Sequence, residues 1–151
     1  MTEGKAMKTY HFQGEEMVPS PALIYYRDGI EKNINHVIAI AGGADRLWPH
    51  VKSHKMAEVV KMQVEMGIKR FKCATIVEAE MAARAGGEHI LLAYPLVGPN
   101  QGRFLELVNR WPEKKFYAIG DEKEQIKELA VKAEQQGVTV NFCVDVNTGM
   151  N

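Results

Sequence analysis

The chain reads as an α/β protein built of parallel strands covered by helices, and three observations predict it. Short, nearly continuous apolar runs alternate with segments of helical period from residue 22 onward. Strand ends taken at Lys52, Thr75, Tyr94, Ile119 and Asp145 are spaced by 23, 19, 25 and 26 residues. Glycines close the helical segments at Gly42-Gly43, Gly67 and Gly86-Gly87. A short regular period with apolar strands suits parallel strands, which need a covering helix in each crossover.

The elements follow in order. Pro19-Ser20-Pro21 introduces Ala22-Leu23-Ile24-Tyr25-Tyr26, an apolar run of strand formers, and Asp28 offers a cap to the helix after it. Ile30, Ile34, Val37, Ile38 and Ala41 mark that helix's buried stripe, which Gly42-Gly43 ends. A second strand is expected from Arg46 to Lys52, and Met56, Val59, Val60, Gln63 and Val64 then resume helical spacing as far as Gly67. Phe71-Lys72-Cys73-Ala74-Thr75 is the next strand, followed by a helix whose alanines and Met81 suit close packing. The unit recurs as strand 89–94 with helix 100–111, strand 115–119 with helix 122–136, and strand 138–146.

Composition narrows the function classes. At 151 residues, 46% hydrophobic and 25% charged, the chain has the makings of a soluble globular protein. Nineteen basic residues balance nineteen acidic ones, which argues against nucleic acid or an anionic membrane as the partner and for a small molecule. Residues 1–17 carry Lys5, Lys8 and His11 without an apolar signal region, and a cytoplasmic location is expected. Cys73 and Cys143 lie in apolar segments without CxxC spacing, as inert buried thiols do.

A dinucleotide-binding sheet would carry GxGxxG after its first strand, whereas Gly42-Gly43 follows a helix and precedes a strand. A (β/α)8 barrel places its chemistry at the C-terminal strand ends, where Lys52, Thr75, Tyr94 and Asp145 fall. Eight such units need roughly 250 residues, and only about five are counted here. Residues 1–18 are therefore expected to form an N-terminal extension and residues 19–151 part of a barrel whose remainder lies further on.

Trp48-Pro49-His50-Val51-Lys52-Ser53-His54-Lys55 carries the chemistry. On a strand, the period of two sends His50, Lys52 and His54 to one face. A lysine in a partly dehydrated site beside groups able to become cationic gives up its proton more easily, and the neutral amine can attack a carbonyl to form a Schiff base.

Five motifs follow one another along the chain: Pro21-Ala22-Leu23 with Glu31-Lys32-Asn33-Ile34, Pro49 to Lys55, Cys73-Ala74-Thr75-Ile76-Val77-Glu78-Ala79-Glu80, Ile90-Leu91-Leu92-Ala93-Tyr94-Pro95-Leu96-Val97-Gly98-Pro99, and Asp145-Val146-Asn147-Thr148-Gly149-Met150. Together they resemble the N-terminal half of the D-threonine aldolase and D-serine dehydratase family, fold-type III pyridoxal 5'-phosphate (PLP) enzymes of the alanine racemase barrel type. The resemblance covers residues 19–151. It implies that Lys52 forms the Schiff base with PLP, that Lys55 is a second, non-bonding lysine, and that the protein is a dimer. It also implies that an arginine near the cofactor's phenolic oxygen, the phosphate-binding loops and the ligands of a divalent metal lie beyond Asn151. The activity implied is that of a PLP-dependent lyase on β-hydroxy D-amino acids, either aldol cleavage to glycine and an aldehyde or elimination to a keto acid and ammonia. The alternatives are an amino-acid racemase, whose Lys-Ala-Asn-Ala-Tyr type run Lys52-Ser53-His54-Lys55 does not match, and a non-catalytic PLP-binding protein.

Other candidates keep two readings. His50 and His54 are polar walls of the cofactor pocket or hydrogen-bonded core histidines, with a metal-binding pair less favoured because Pro49 disfavours helix. Thr75 and Tyr94 touch the cofactor or substrate, or serve as caps and packing residues. Gly98-Pro99 reads as a turn with proline near the first helical position rather than an anion site, and Asp121-Glu122-Lys123-Glu124 as a helix start.

Overall fold

Alternation within the strands decides which face of the sheet is covered. The computed structural model describes residues 10–149. In it the chain forms α1 (Arg27–Ala41), α2 (Ala57–Glu65), β1 (Arg70–Cys73), α3 (Ile76–Arg84), β2 (His89–Leu92), α4 (Pro99–Arg110), β3 (Lys115–Gly120), α5 (Lys123–Gln135) and β4 (Asn141–Val144). Phe71, Cys73, Ile90, Leu92, Phe116 and Ala118 all point to one face and are buried against Ala79 and Ala82 of α3, Phe104 and Leu105 of α4, and Leu129 and Ala133 of α5. The intervening residues Lys72, Leu91, Tyr117 and Ile119 lie on the other face, half-buried.

The sheet is wholly parallel and its order, β1-β2-β3-β4, follows the sequence. Among the described residues the order never reverses, so the topological switch point of a doubly wound fold is missing. Sequential order with α3, α4 and α5 packed side by side in one layer is how a (β/α) barrel is wound. The expectation of a barrel-type α/β chain holds.

Helix ends fall where the turn chemistry places them. Gly42 takes φ 75° and donates its N–H to Ala39 O, while Gly43 N–H reaches Ile38 O, so the end of α1 is closed by residues that tolerate a left-handed backbone. Pro99 opens α4, as the Gly98-Pro99 turn implied, and Glu122 caps α5 by accepting from Glu124 N–H. A Cβ at Gly87 would stand 2.9 Å from both Ala82 O and the Phe71 ring, so this glycine lets β1 and the end of α3 approach closely.

Two expected strands are not strands. Residues 22–26 pair with no strand among the described residues, and Leu23 is 83% exposed. No described strand lies beside them, and an apolar run needs a neighbour to become a strand. The segment 46–52 makes a single bridge, His50 with Lys72, with Lys72 N–H donating to Pro49 O at 2.9 Å. Pro49 has no N–H to extend the ladder. The chain then enters a 3-10 turn, Val51–Ser53, anchored by fully buried Val51. The strand alternation expected for His50, Lys52 and His54 therefore does not occur. Asp28 lies in the first turn of α1 rather than at its cap, which is Tyr26, and its charge suits the positive end of the helix dipole. Met150, Asn151 and residues 1–9, with Lys5 and Lys8, lie outside the described residues.

Candidate functional site

The Lys52 turn sits at the sheet end where β1 finishes. His50 starts it: its Nδ1 accepts the Lys52 backbone N–H at 3.3 Å. His54 ends it, with Nδ1 accepting from Met56 N–H at 3.1 Å. In a neutral imidazole whose Nδ1 accepts, the proton rides on Nε2, so each ring presents an Nε2–H donor. Burial pushes both histidines below their ordinary pKa of 6.5, and for His50 the nearby Lys52 and Lys72 ammonium groups lower it further. The histidines are thus held neutral and act as donors, rather than as cations bearing on Lys52.

His89 is likewise lowered from 6.5 by burial and then by Lys115 and Arg70. A histidine held neutral in the fold takes up a proton more readily once unfolded, so stability is full above about 6.5 and is lost as pH falls through the lowered folded values. Denaturant midpoints measured on either side of that value should fall on the acid side, and His50→Gln should flatten the dependence.

Lys52 itself is exposed and its side chain is free to meet a ligand. Lys55 differs. Among the described residues it is the non-glycine residue with a left-handed backbone, φ 52°. Its N–H donates to Val51 O at 2.8 Å, and its Nζ lies 3.7 Å from Glu78 Oε1.

Glu78 and Lys72 had no role in the sequence reading. Glu78 is 5% exposed, and its Oε2 accepts from Ala74 N–H at 2.7 Å while its own N–H donates to Thr75 Oγ1 at 3.1 Å. This resembles a capping box, with the carboxylate taking the N–H of the residue before the Thr75 cap, and the Thr75-x-x-Glu78 spacing could have revealed it. Lys72 is half-buried and on the uncovered sheet face, bridged to His50. Further along the strands' starts, His89 Nδ1 and Tyr117 OH are 3.0 Å apart with stacked rings, Trp48 meets the Tyr117 ring edge-on, and Arg70 lies over Trp48.

The other two candidates stand apart from Lys52. Thr75 caps α3, and Tyr94 is 64% exposed in the loop after β2. Both line a cavity of about 480 Å³ between α3 and α4 that also touches Leu92, Asn100 and Arg103 but none of His50, Lys52 and His54. His54 lines a different hollow, between α1 and α2. Burial pushes the Cys73 thiol up to about 12, as suits an inert core thiol, while Cys143 is only half-buried. Among the described residues no three His, Cys, Asp or Glu side chains gather as metal ligands, and no helix is long and apolar enough to cross a membrane.

The family described as "Alanine racemase, N-terminal domain" matches residues 26–151. The chain belongs to this family. Relatives of this alanine racemase N-terminal domain include a D-threonine aldolase of an Arthrobacter species, 26% identical over 87% of the chain and 35% of that protein. A 3-hydroxy-D-aspartate aldolase of Paracoccus denitrificans is 27% identical over 89% of the chain and 35% of that protein. Among solved structures, the D-threonine aldolase of Filomicrobium marinum superposes with a TM-score of 0.77 at 29% identity, covering 89% of this chain and 36% of that one. A D-threo-3-hydroxyaspartate dehydratase variant shares the fold, with a TM-score of 0.71 at 24% identity. The chain spans about a third of the length of the curated relatives it matches.

Proposed function

We propose that the protein is a PLP-dependent lyase of β-hydroxy D-amino acids in which Lys52 holds the cofactor covalently. The observation that carries this reading is an exposed lysine at the end of a parallel sheet, on a turn whose two histidines are neutral donors. The chain's likeness to proteins named D-threonine aldolase and 3-hydroxy-D-aspartate aldolase favours aldol cleavage over elimination. The residues present fit an aldehyde cofactor: an exposed primary amine beside the His50 imidazole and the half-buried Lys72.

When bound, PLP supplies an electron sink that lets a bond at the substrate's α-carbon break. Lys52 would hold the cofactor at its aldehyde carbon, and its amine, when not so engaged, would serve as a base in the site. His50 donates from Nε2 to ligand oxygen, and its Nδ1 stays engaged with the Lys52 amide, so it orients and does not abstract. Lys72 adds a cation on the same side of the sheet, favouring an anionic ligand. Thr75 and Tyr94, which line the separate cavity between α3 and α4, have no part in this reading. A divalent metal, a homodimer and a cytoplasmic setting complete the proposal for the whole protein.

Borohydride reduction with PLP followed by peptide mapping should place a pyridoxyl group on Lys52. Assays with D-threonine, 3-hydroxy-D-aspartate and D-serine, with and without EDTA, then separate the reactions. Glycine with an aldehyde product means aldol cleavage, and a keto acid with ammonia means elimination. A pyridoxyl group elsewhere, or no product from any of the three, overturns the reading.

A further inference from the structure

Two lysines three residues apart, Lys52 and Lys55, share one turn and are both exposed, so accessibility does not choose between them as the amine for a carbonyl ligand. What separates them is Glu78. Its carboxylate is buried in a turn-to-helix junction, and the two oxygens have different duties. Oε2 accepts from Ala74 N–H, which together with the Thr75 cap accounts for the helix start. Oε1 is not needed for that cap and faces Lys55 Nζ at 3.7 Å. The left-handed backbone at Lys55 is disfavoured for a residue with a Cβ. It persists with a short bond back to Val51 O and with the side chain directed to the α3 side, toward Glu78.

We propose that Glu78 is a positioning residue that sorts the two lysines, pairing with Lys55 and leaving Lys52 as the amine that meets the carbonyl ligand. The chemistry is simple. An ammonium engaged with a carboxylate has no lone pair to offer. A neutral amine forms the new C–N bond to the aldehyde carbon, and the carbonyl oxygen leaves as water. Because Lys55 is 67% exposed, the ion pair is partly screened, and its bias is expected to be modest. Its direction is nonetheless specific to one lysine.

The inference rests on the proposed role of Lys52, and the test keeps the two apart. Glu78→Gln retains an oxygen to accept from Ala74 N–H, so the cap survives while the charge is lost. The protein and this variant are treated with PLP and borohydride, and in parallel with formaldehyde and cyanoborohydride, a small neutral label that needs no cofactor site. Tandem mass spectrometry reads the Lys55-to-Lys52 label ratio. Glu78→Gln is expected to raise that ratio about two- to five-fold, the range an exposed ion pair supports. An unchanged ratio in the folded variant overturns the sorting role and leaves the Lys52 assignment standing. Absence of pyridoxyl from both lysines in the unaltered protein defeats the cofactor reading, and the formaldehyde ratio then judges Glu78 alone. Should Glu78→Gln not fold, the unaltered protein is labelled with formaldehyde at low and high salt. Screening of the pair should raise the ratio, and a ratio indifferent to salt overturns the proposal.

Discussion

Lys52→Ala is expected to lower kcat/KM for the preferred substrate on the order of 10³-fold or more, because it removes both the covalent anchor and a base, and base catalysis alone is worth roughly 10² to 10⁴. The fold should hardly notice. Lys52 contributes its backbone N–H, not its side chain, to the bond with His50 Nδ1, and the anchoring of the turn belongs to buried Val51. An exposed substitution that leaves such features alone shifts stability by about 0.5 kcal/mol or less. Lys52→Arg separates charge from nucleophilicity: it keeps a cation beside His50 and should be as inactive as the alanine variant. Steady-state kinetics with thermal melts of all three proteins check this. Activity surviving in Lys52→Ala would remove Lys52 from the chemistry.

Phe71→Ala should cost about 3–5 kcal/mol, the range for emptying a buried phenylalanine site. Phe71 is fully buried at the centre of β1, paired in register with Ile90, and its ring fills the space that Gly87 leaves by lacking a Cβ. The site cannot easily collapse, since Gly87 holds the end of α3 through its N–H to Ala82 O at 2.9 Å. Against a total stability of about 5–15 kcal/mol, such a loss leaves the variant marginal or unfolded at ambient temperature. Urea unfolding followed by circular dichroism measures it, and a loss below about 1 kcal/mol would contradict the packing described here.

Much of the architecture is legible in the chain because it follows local rules. Short apolar runs locate the strands that carry Phe71, Ile90 and Phe116, and Gly42, Gly98 and Pro99 mark helix ends through backbone conformations that other residues resist. The same local rules mislead where pairing decides. Ala22-Leu23-Ile24-Tyr25-Tyr26 has strand composition, but strand formation needs a neighbour at hydrogen-bonding distance, and composition says nothing about one. At the Lys52 segment, proline and the His50 side chain compete with the ladder for the backbone, and the turn prevails.

The candidate site divides similarly. Lys52 stands out through its residue type and spacing between two histidines, which depend on chemistry carried by neighbours in sequence. The charge state of those histidines depends on desolvation and, for His50, on Lys52 and on Lys72, which lies far along the chain and is brought alongside by one bridge. Thr75 and Tyr94, placed at strand ends by counting, line one cavity with residues of α3 and α4 that the Lys52 turn does not touch.

From residue order alone come the parallel α/β class, the barrel-type winding and the lysine on which the proposed chemistry turns, because each is written in periods and motifs of a few residues. Which residues surround that lysine came from packing: Lys72 across the bridge, Glu78 beneath Lys55, and imidazoles with their Nδ1 atoms tied to the backbone. Burial and through-space charge act over ångströms between residues far apart in the chain, and no local pattern encodes those distances.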